Sequence, residues 1–261
     1  IYLSDYDGEL ITSQDFPNAV ARTSYARTTD GGTTWGLTAE PTPERSNATS
    51  RFAVGRLDAP VVDKDAQLFS SPFTVSVNIP SGATLRYTTD GTTPTLSNGQ
   101  TSKTGVFNVS STTTYRFRLF KDGILPSEVV TRSYIFRDRD YVLPVISIVT
   151  DRDNIYGDSL GILVQGVNGR TGNGYSTPCN WNMDWDRPVN FEYITADGKM
   201  VINQEVDMSA CGGWSRAYSP HSFKLKADKI YEGKNFYDYP IFETKPYLKH
   251  KTLQVRNGGN D

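Results

Sequence analysis

The chain has 261 residues, enough to bury a sizeable core and to form two domains. Its 27 Lys and Arg nearly balance its 29 Asp and Glu, and no basic block stands out, so nothing argues for a nucleic-acid partner. No apolar run approaches the length that spans a bilayer and no signal peptide is present, although the first residue is Ile1 rather than Met.

Abundant Thr, Ser, Tyr, Gly and Asn favour strands and turns, and the composition suits a β-rich protein outside the cell. In the first fifty residues, "SYARTTDGGTTWG" (24–36) places Asp30-Gly31-Gly32 as a hairpin turn between two short strands. The prolines of "PTPERSN" (41–47) speak against a strand there. So few aliphatic residues predict that this stretch leans on something else for a core. From 55 to 136 the pattern has period two. Phe73, Val75, Val77 and Ile79 alternate with polar residues, as do Leu85 and Tyr87, then Tyr115, Phe117 and Leu119. Turn clusters separate these runs, which predicts an antiparallel Ig/fibronectin-like β-sandwich. Arg116 and Arg118, on the polar side of the third run, are expected to face water.

The charged "IFRDRDYVLP" (135–144) reads as a linker. "VLPVISIVTD" follows, apolar on both sides, as for a strand covered on both faces in the middle of a layered domain. Further strands are predicted at "GILVQG" (161–166), "PVNFEYIT" (188–195), "KMVINQEVDM" (199–208), "SFKLKAD" (222–228) and "TLQVRN" (252–257), with "TADGK" (195–199) as a hairpin turn. Residues 167–187 read as a long loop rich in Gly, Asn and Trp. No convincing amphipathic helix longer than about three turns is present.

Carboxylates pair at Asp138/Asp140, Asp151/Asp153 and Asp184/Asp186. A calcium loop starting at Asp151 would need an oxygen ligand and then Gly where Ile155 and Tyr156 stand, so turn and capping chemistry fits better. The two histidines, His221 and His250, lack zinc-site spacing, and no metal site is expected. No nucleophile elbow and no phosphate-cradling glycine loop occurs. Cys179 and Cys211 are compatible with one disulfide or with two buried free thiols. "CGGWSRAYSPHSFKLKADK" (211–229) is the informative cluster. A glycine-rich turn carries Arg216, and a strand then sets Lys224 and Lys226 on one face opposite Phe223 and Leu225. Such cations can hold phosphate or carboxylate, or be a solvated face with Arg216 paired to a nearby Asp. Trp181, Trp185 and Trp214 can stack on sugar faces or be buried.

Three stretches resemble known families. "LPVISIVTDRDNIYG", "NWNMDWDRPVNFEYITADGK", "GGWSRAYSPHSFKLKADK", "FYDYPIF" and "LQVRNGGND" make residues 140–261 resemble the N-terminal half of the spore-coat protein H (CotH) kinase family. "APVV", "LRYTTDGTTPT" and "LPSEVVTRSYIF" make residues 58–135, within the 55–136 module, resemble the chitobiase C-terminal-like β-sandwich. "SYARTTDGGTTWG" and "PTPERSN", within residues 1–50, resemble the end of a lamin-tail domain. The expected architecture is therefore mainly β, a sandwich followed by a mixed α+β, kinase-N-lobe-like domain.

The kinase resemblance implies that the "RNGGND" loop is an interior feature and that the acidic catalytic and magnesium-binding residues lie beyond Asp261. Both ends are thus expected to be cut from a larger secreted, cell-surface bacterial protein. ATP and magnesium would be bound by the complete parent, with no catalytic residue, cofactor or metal in this piece. Arg216, His221 and Lys224 are the nucleotide-contact candidates. Relatives commonly carry a lysine at the position of His221, and a neutral His holds phosphate poorly. Lys224 replaces that lysine only if its side chain points the other way, since 221 and 224 fall on opposite strand faces. Two readings follow: a CotH-like kinase acting on a protein substrate, or a non-catalytic surface scaffold that holds a glycan through its tryptophans.

Overall fold

The computed structural model describes residues 1–15, 23–231 and 233–258, so the Gly259–Asp261 end of the "RNGGND" loop lies outside the described residues. The chain is mainly β and divides into two compact units.

The first unit comprises Ile1–Asp58 and Phe120–Ser127. Strands β1 (Tyr2–Ser4) and β2 (Leu10–Ser13) pair antiparallel. Strands β3 (Ser24–Arg27) and β4 (Trp35–Thr38) form the expected hairpin, with Gly31 in the turn at φ +68°. Tyr25 stacks on Trp35 at 5.5 Å, and Arg27 sits over the same indole. The 120–127 segment fastens to the residues before 58, as Leu57 N donates to Leu125 O and Leu125 N to Gly55 O. Exposed Ile1, Leu3, Leu10 and Ile11 fit a stretch with little core of its own.

The second unit holds Ala59–Leu119 and Glu128–Asp261, so 128–136 and everything after it fold with the sandwich. The sandwich comprises β5 (Gln67–Phe69), β6 (Phe73–Ser76), β7 (Thr84–Thr88), β8 (Gln100–Ser102), β9 (Val106–Val109), β10 (Thr113–Phe120) and β11 (Val130–Phe136). One sheet runs β5-β11-β10-β7-β8 and the other is the β6–β9 pair. β10 with β11, β7 with β8 and β6 with β9 pair antiparallel, whereas β5 with β11 pairs parallel. The inward-facing residues are largely aromatic. Phe117 is fully buried, stacks on Tyr115 at 5.4 Å and meets Phe107 at 5.1 Å, while Phe73 packs edge-on against Tyr134.

The later residues form β12 (Val145–Val149), helix α1 (Arg152–Tyr156), β13 (Arg170–Gly172), β14 (Tyr175–Cys179), β15 (Arg187–Ile194), β16 (Met200–Ala210), β17 (Phe223–Lys226) and β18 (Thr252–Val255). Five of these strands make an antiparallel sheet in the order β12-β15-β16-β17-β18. Its front face carries Phe191, Val206, Met208, Leu225 and Leu253 into a core closed by Ile162, Trp181 and Tyr237. Its back face carries Glu192, Ile194 and Asn203, alternating as period two requires.

The "VISIV" strand lies at the edge of its sheet, with Ile148 against the front core and Val145 against the cluster shared with the sandwich, so each face meets another layer. Two expectations are corrected here. "GILVQG" is not a strand. Ile162 and Leu163 are buried, but their N–H groups bond Asn154 O and Ile155 O, so the segment wraps the short helix instead of joining a ladder. Residues 167–187 are not all loop, because β13 and β14 pair as a hairpin within them.

A continuous seam joins the sandwich to the back of the second sheet. At one end Ala66, Leu68 and Ile194 pack together, and the Gly198 carbonyl in the β15–β16 turn accepts from Leu68 N. Gln67 bridges Lys199 in the same place, and Arg137 Nη2 donates to Ala196 O at 2.9 Å. In the middle Ser133 Oγ lies 2.8 Å from Ser147 Oγ. At the other end Asp151 accepts from Thr93 N and Thr93 Oγ1, both at 2.6 Å, and lies 3.6 Å from Arg116. Arg116 is thus buried rather than water-facing, and Arg118 is half-buried, because their strand face is the one the second sheet covers. Asp151 is corrected too. It begins helix α1 but makes no side-chain cap, reaching across the seam instead.

Candidate functional site

The nucleotide-contact candidates, two of the tryptophans and Asn257 come from three separate stretches, and the fold brings most of them to one end of the sheet. β16 ends at Ala210, and Cys211 N donates to Ser222 O, which returns the chain into β17. The loop between them turns at Gly212 and Gly213 into a short 3₁₀ turn, Trp214–Ala217. Arg216 pins that turn, donating from Nε to Gly212 O and from Nη1 to Trp181 O, both at 3.0 Å. His221 Nδ1 lies 2.9 Å from Arg216 O, and its ring lies 5.6 Å from that of Trp181. Asn257, just past β18, ties in the third stretch. Its backbone N–H reaches Ser222 Oγ at 3.0 Å, and its amide donates to Ser215 O at 3.0 Å and to Tyr218 O.

The expected alternative of an Arg216–Asp pair is corrected, since its guanidinium is held by main-chain carbonyls. Lys224 stands apart from the knot, exposed on the back face of β17 between Ser209 and Gln254. It pairs with no carboxylate among the described residues. Lys226 sits opposite Asp207 and forms an ion pair with Asp228 at 3.4 Å. Burial raises the Asp207 carboxyl pKa, and a hydrogen bond from Tyr231 OH at 2.7 Å partly offsets that rise.

The disulfide alternative is also corrected, because Cys179 and Cys211 are both free and buried. Cys179 packs in the sheet core with its Sγ toward Thr177 O at 3.5 Å, whereas Cys211 sits at the mouth of the 212–221 loop. Burial pushes both thiols up, and Arg216 and Lys224 only partly pull Cys211 back. Thiols held protonated in this way are poor nucleophiles.

The tryptophans separate by exposure. Trp181 is buried, with Tyr175 edge-on to it at 5.3 Å. Trp185 is half-buried against the core, with Arg187 over its ring at 4.9 Å. Trp214 is 65% exposed, and its ring lies over Gly174 in the turn of the β13–β14 hairpin. Gly174 has φ +83°, and any side chain there would strike the indole, so both the turn and the close approach require glycine. Exposed Tyr218 belongs to the same loop as Trp214.

A cavity of about 350 Å³ lies on the front of β16, lined by Ile202, Gln204, Lys234, Phe236 and Lys249. No group of three His, Cys, Asp or Glu side chains able to hold a metal ion occurs among the described residues. No helix among them is long and apolar enough to cross a membrane. The role of Arg116, Asp151 and Glu192 in the seam escaped the sequence reading. Their only signal was an unexplained charge inside otherwise well-patterned strands or at the start of a helix.

No curated protein matches the chain. Residues 65–131, spanning β5 to the start of β11, match the family model of the chitobiase/beta-hexosaminidase C-terminal domain, so the sandwich layer of the second unit is similar to that domain.

Proposed function

We propose that residues 140–261 are the nucleotide-facing half of an atypical, CotH-like protein kinase unit. In this reading it is carried with the sandwich and a lamin-tail-like segment in a secreted bacterial protein. The carrying observation is convergence. The "NWN", "GGWSRAYSPHS" and "RNG" stretches, all parts of the resemblance, meet through Arg216, His221 and Asn257. Chance placement of three motif segments would not favour one knot at the end of one sheet. Lys224 is the cation left to meet phosphate, and Arg216 is a positioning residue. Phosphoryl transfer would need acidic, magnesium-holding residues, which this reading assigns to the other half of the unit. Calorimetric titration of the full-length natural protein with magnesium–ATP tests the reading. Binding weakened severalfold by Lys224→Ala, at unchanged melting temperature, is expected. No binding at millimolar nucleotide would remove it.

A second reading rests on Trp214. Its exposed ring, on the loop that also carries exposed Tyr218, offers a platform for a sugar face, in a non-catalytic surface scaffold. A glycan array with the natural protein and Trp214→Ala discriminates. Binding that survives the substitution, or none at all, sinks it.

A further inference from the structure

We propose that Glu192 is a proton-operated latch between the sandwich and the five-stranded sheet, closing the seam when neutral and loosening it when ionised. Glu192 is fully buried in the middle of β15, on the back face. Its Oε1 accepts from Asn203 Nδ2 at 3.0 Å and from Ser133 N at 3.4 Å. Asn203 Nδ2 also reaches Thr131 O at 3.0 Å, so one amide clips β16 both to Glu192 and to the sandwich strand β11. Ser133 Oγ is engaged by Thr114 Oγ1 at 3.1 Å and by Ser147 Oγ. Every polar group around Oε1 thus bridges the two layers. Glu192 Oε2 is buried and has no hydrogen-bond partner among the described residues.

Burial of this carboxyl favours its neutral form. A buried carboxylate with one unsatisfied oxygen carries a desolvation cost far above that of a neutral acid. The charged groups around it do not compensate. From β11 Arg132 acts on it, but that guanidinium also lies 3.7 Å from Asp65. Asp63 and Asp65 stand on the approach to β5 and add negative charge near Tyr134, whose hydroxyl is held by Lys64 O. β12 presents Ser147 and β16 presents Asn203, both neutral, with Glu205 next along the same face. Burial is the largest influence, and it raises the pKa from the ordinary 4.5 to about 7 against smaller downward pulls from Ser133, Arg132 and Ser147. Opening the seam would return the carboxyl to water and to its ordinary value. Ionisation therefore favours the open form across the interval between the two values.

Hydrogen exchange at the Ser133 and β15 amides, corrected for intrinsic rate, tests this on the whole chain. Between pH 5.5 and 8 the seam amides should lose protection about twentyfold by this linkage, while the Phe117 amide in the sandwich core keeps its own. Glu192→Gln, neutral and of the same shape, should abolish the pH dependence. An unchanged profile in that variant, or a flat profile in the natural chain, overturns the proposal. Should Glu192→Gln fail to fold, ¹³C-carboxyl NMR of the natural chain still decides. A Glu192 midpoint near 7 supports the latch, and one at or below 5 refutes it.

Discussion

The two sheets that meet in the second unit bury themselves differently. The sandwich fills its interior with rings, Phe73, Phe107, Tyr115, Phe117 and Tyr134, which touch one another across both of its layers. The later sheet is apolar only in front. Its back is largely polar, and it meets the sandwich through single hydrogen bonds and charges, with one small apolar cluster at one end. A ring core tolerates changes of pH and salt but not loss of volume. A polar seam has the opposite weakness, because each group in it depends on its partner's protonation and position.

The sharpest test of that contrast is Phe117→Ala, which removes a fully buried ring and leaves a cavity. It should cost about 3–5 kcal/mol in urea unfolding and show little pH dependence. Next comes pH itself. Glu192 has a folded value of about 7 against an ordinary 4.5. Below the lower value it is protonated whether folded or not. Between the two the unfolded carboxyl loses its proton first, so stability falls as pH rises, and the fall ends above the upper value. On the order of 3 kcal/mol should be lost over that window and recovered in Glu192→Gln, read from urea midpoints. Asp151→Ala should cost about 2 kcal/mol, as it strips two hydrogen bonds from Thr93 and leaves Arg116 buried without its carboxylate. Arg216→Ala, losing two bonds to carbonyls, should cost about 1–2 kcal/mol and change Trp181 fluorescence. Trp214→Ala should alter stability by less than about 1 kcal/mol, because the ring is mostly in water.

The same contrast explains what the sequence disclosed. Where one face of a strand is apolar and the other wet, alternation reveals it, and β6, β7, β10, β15, β16 and β17 lie where the pattern predicts. Alternation fails where a polar face is itself buried. Arg116 reads as a solvated residue because nothing local distinguishes a cation facing water from one facing Asp151, which lies 35 residues away in sequence. "GILVQG" has strand composition, but the carbonyls of α1 claim its amides. The 167–187 stretch hides a hairpin because its strands carry Gly, Thr, Ser and Pro rather than aliphatics. Within the candidate site, the residue types of the 211–229 cluster were visible from chemistry. That Arg216 would reach Trp181 O and His221 would lie against the Trp181 ring was not, since Trp181 comes from another loop.

The turn at Gly198 has a consequence for how such molecules coexist at high concentration. β5 forms the rim of the sandwich, and rims of sheets invite pairing with neighbouring chains. By lending its carbonyl to Leu68 and a bridge to Gln67, the tip of the β15–β16 hairpin acts as a stopper on that rim. Whatever lifts the stopper exposes a template for intermolecular strand addition, so the hairpin that completes one layer also keeps the other from self-assembling.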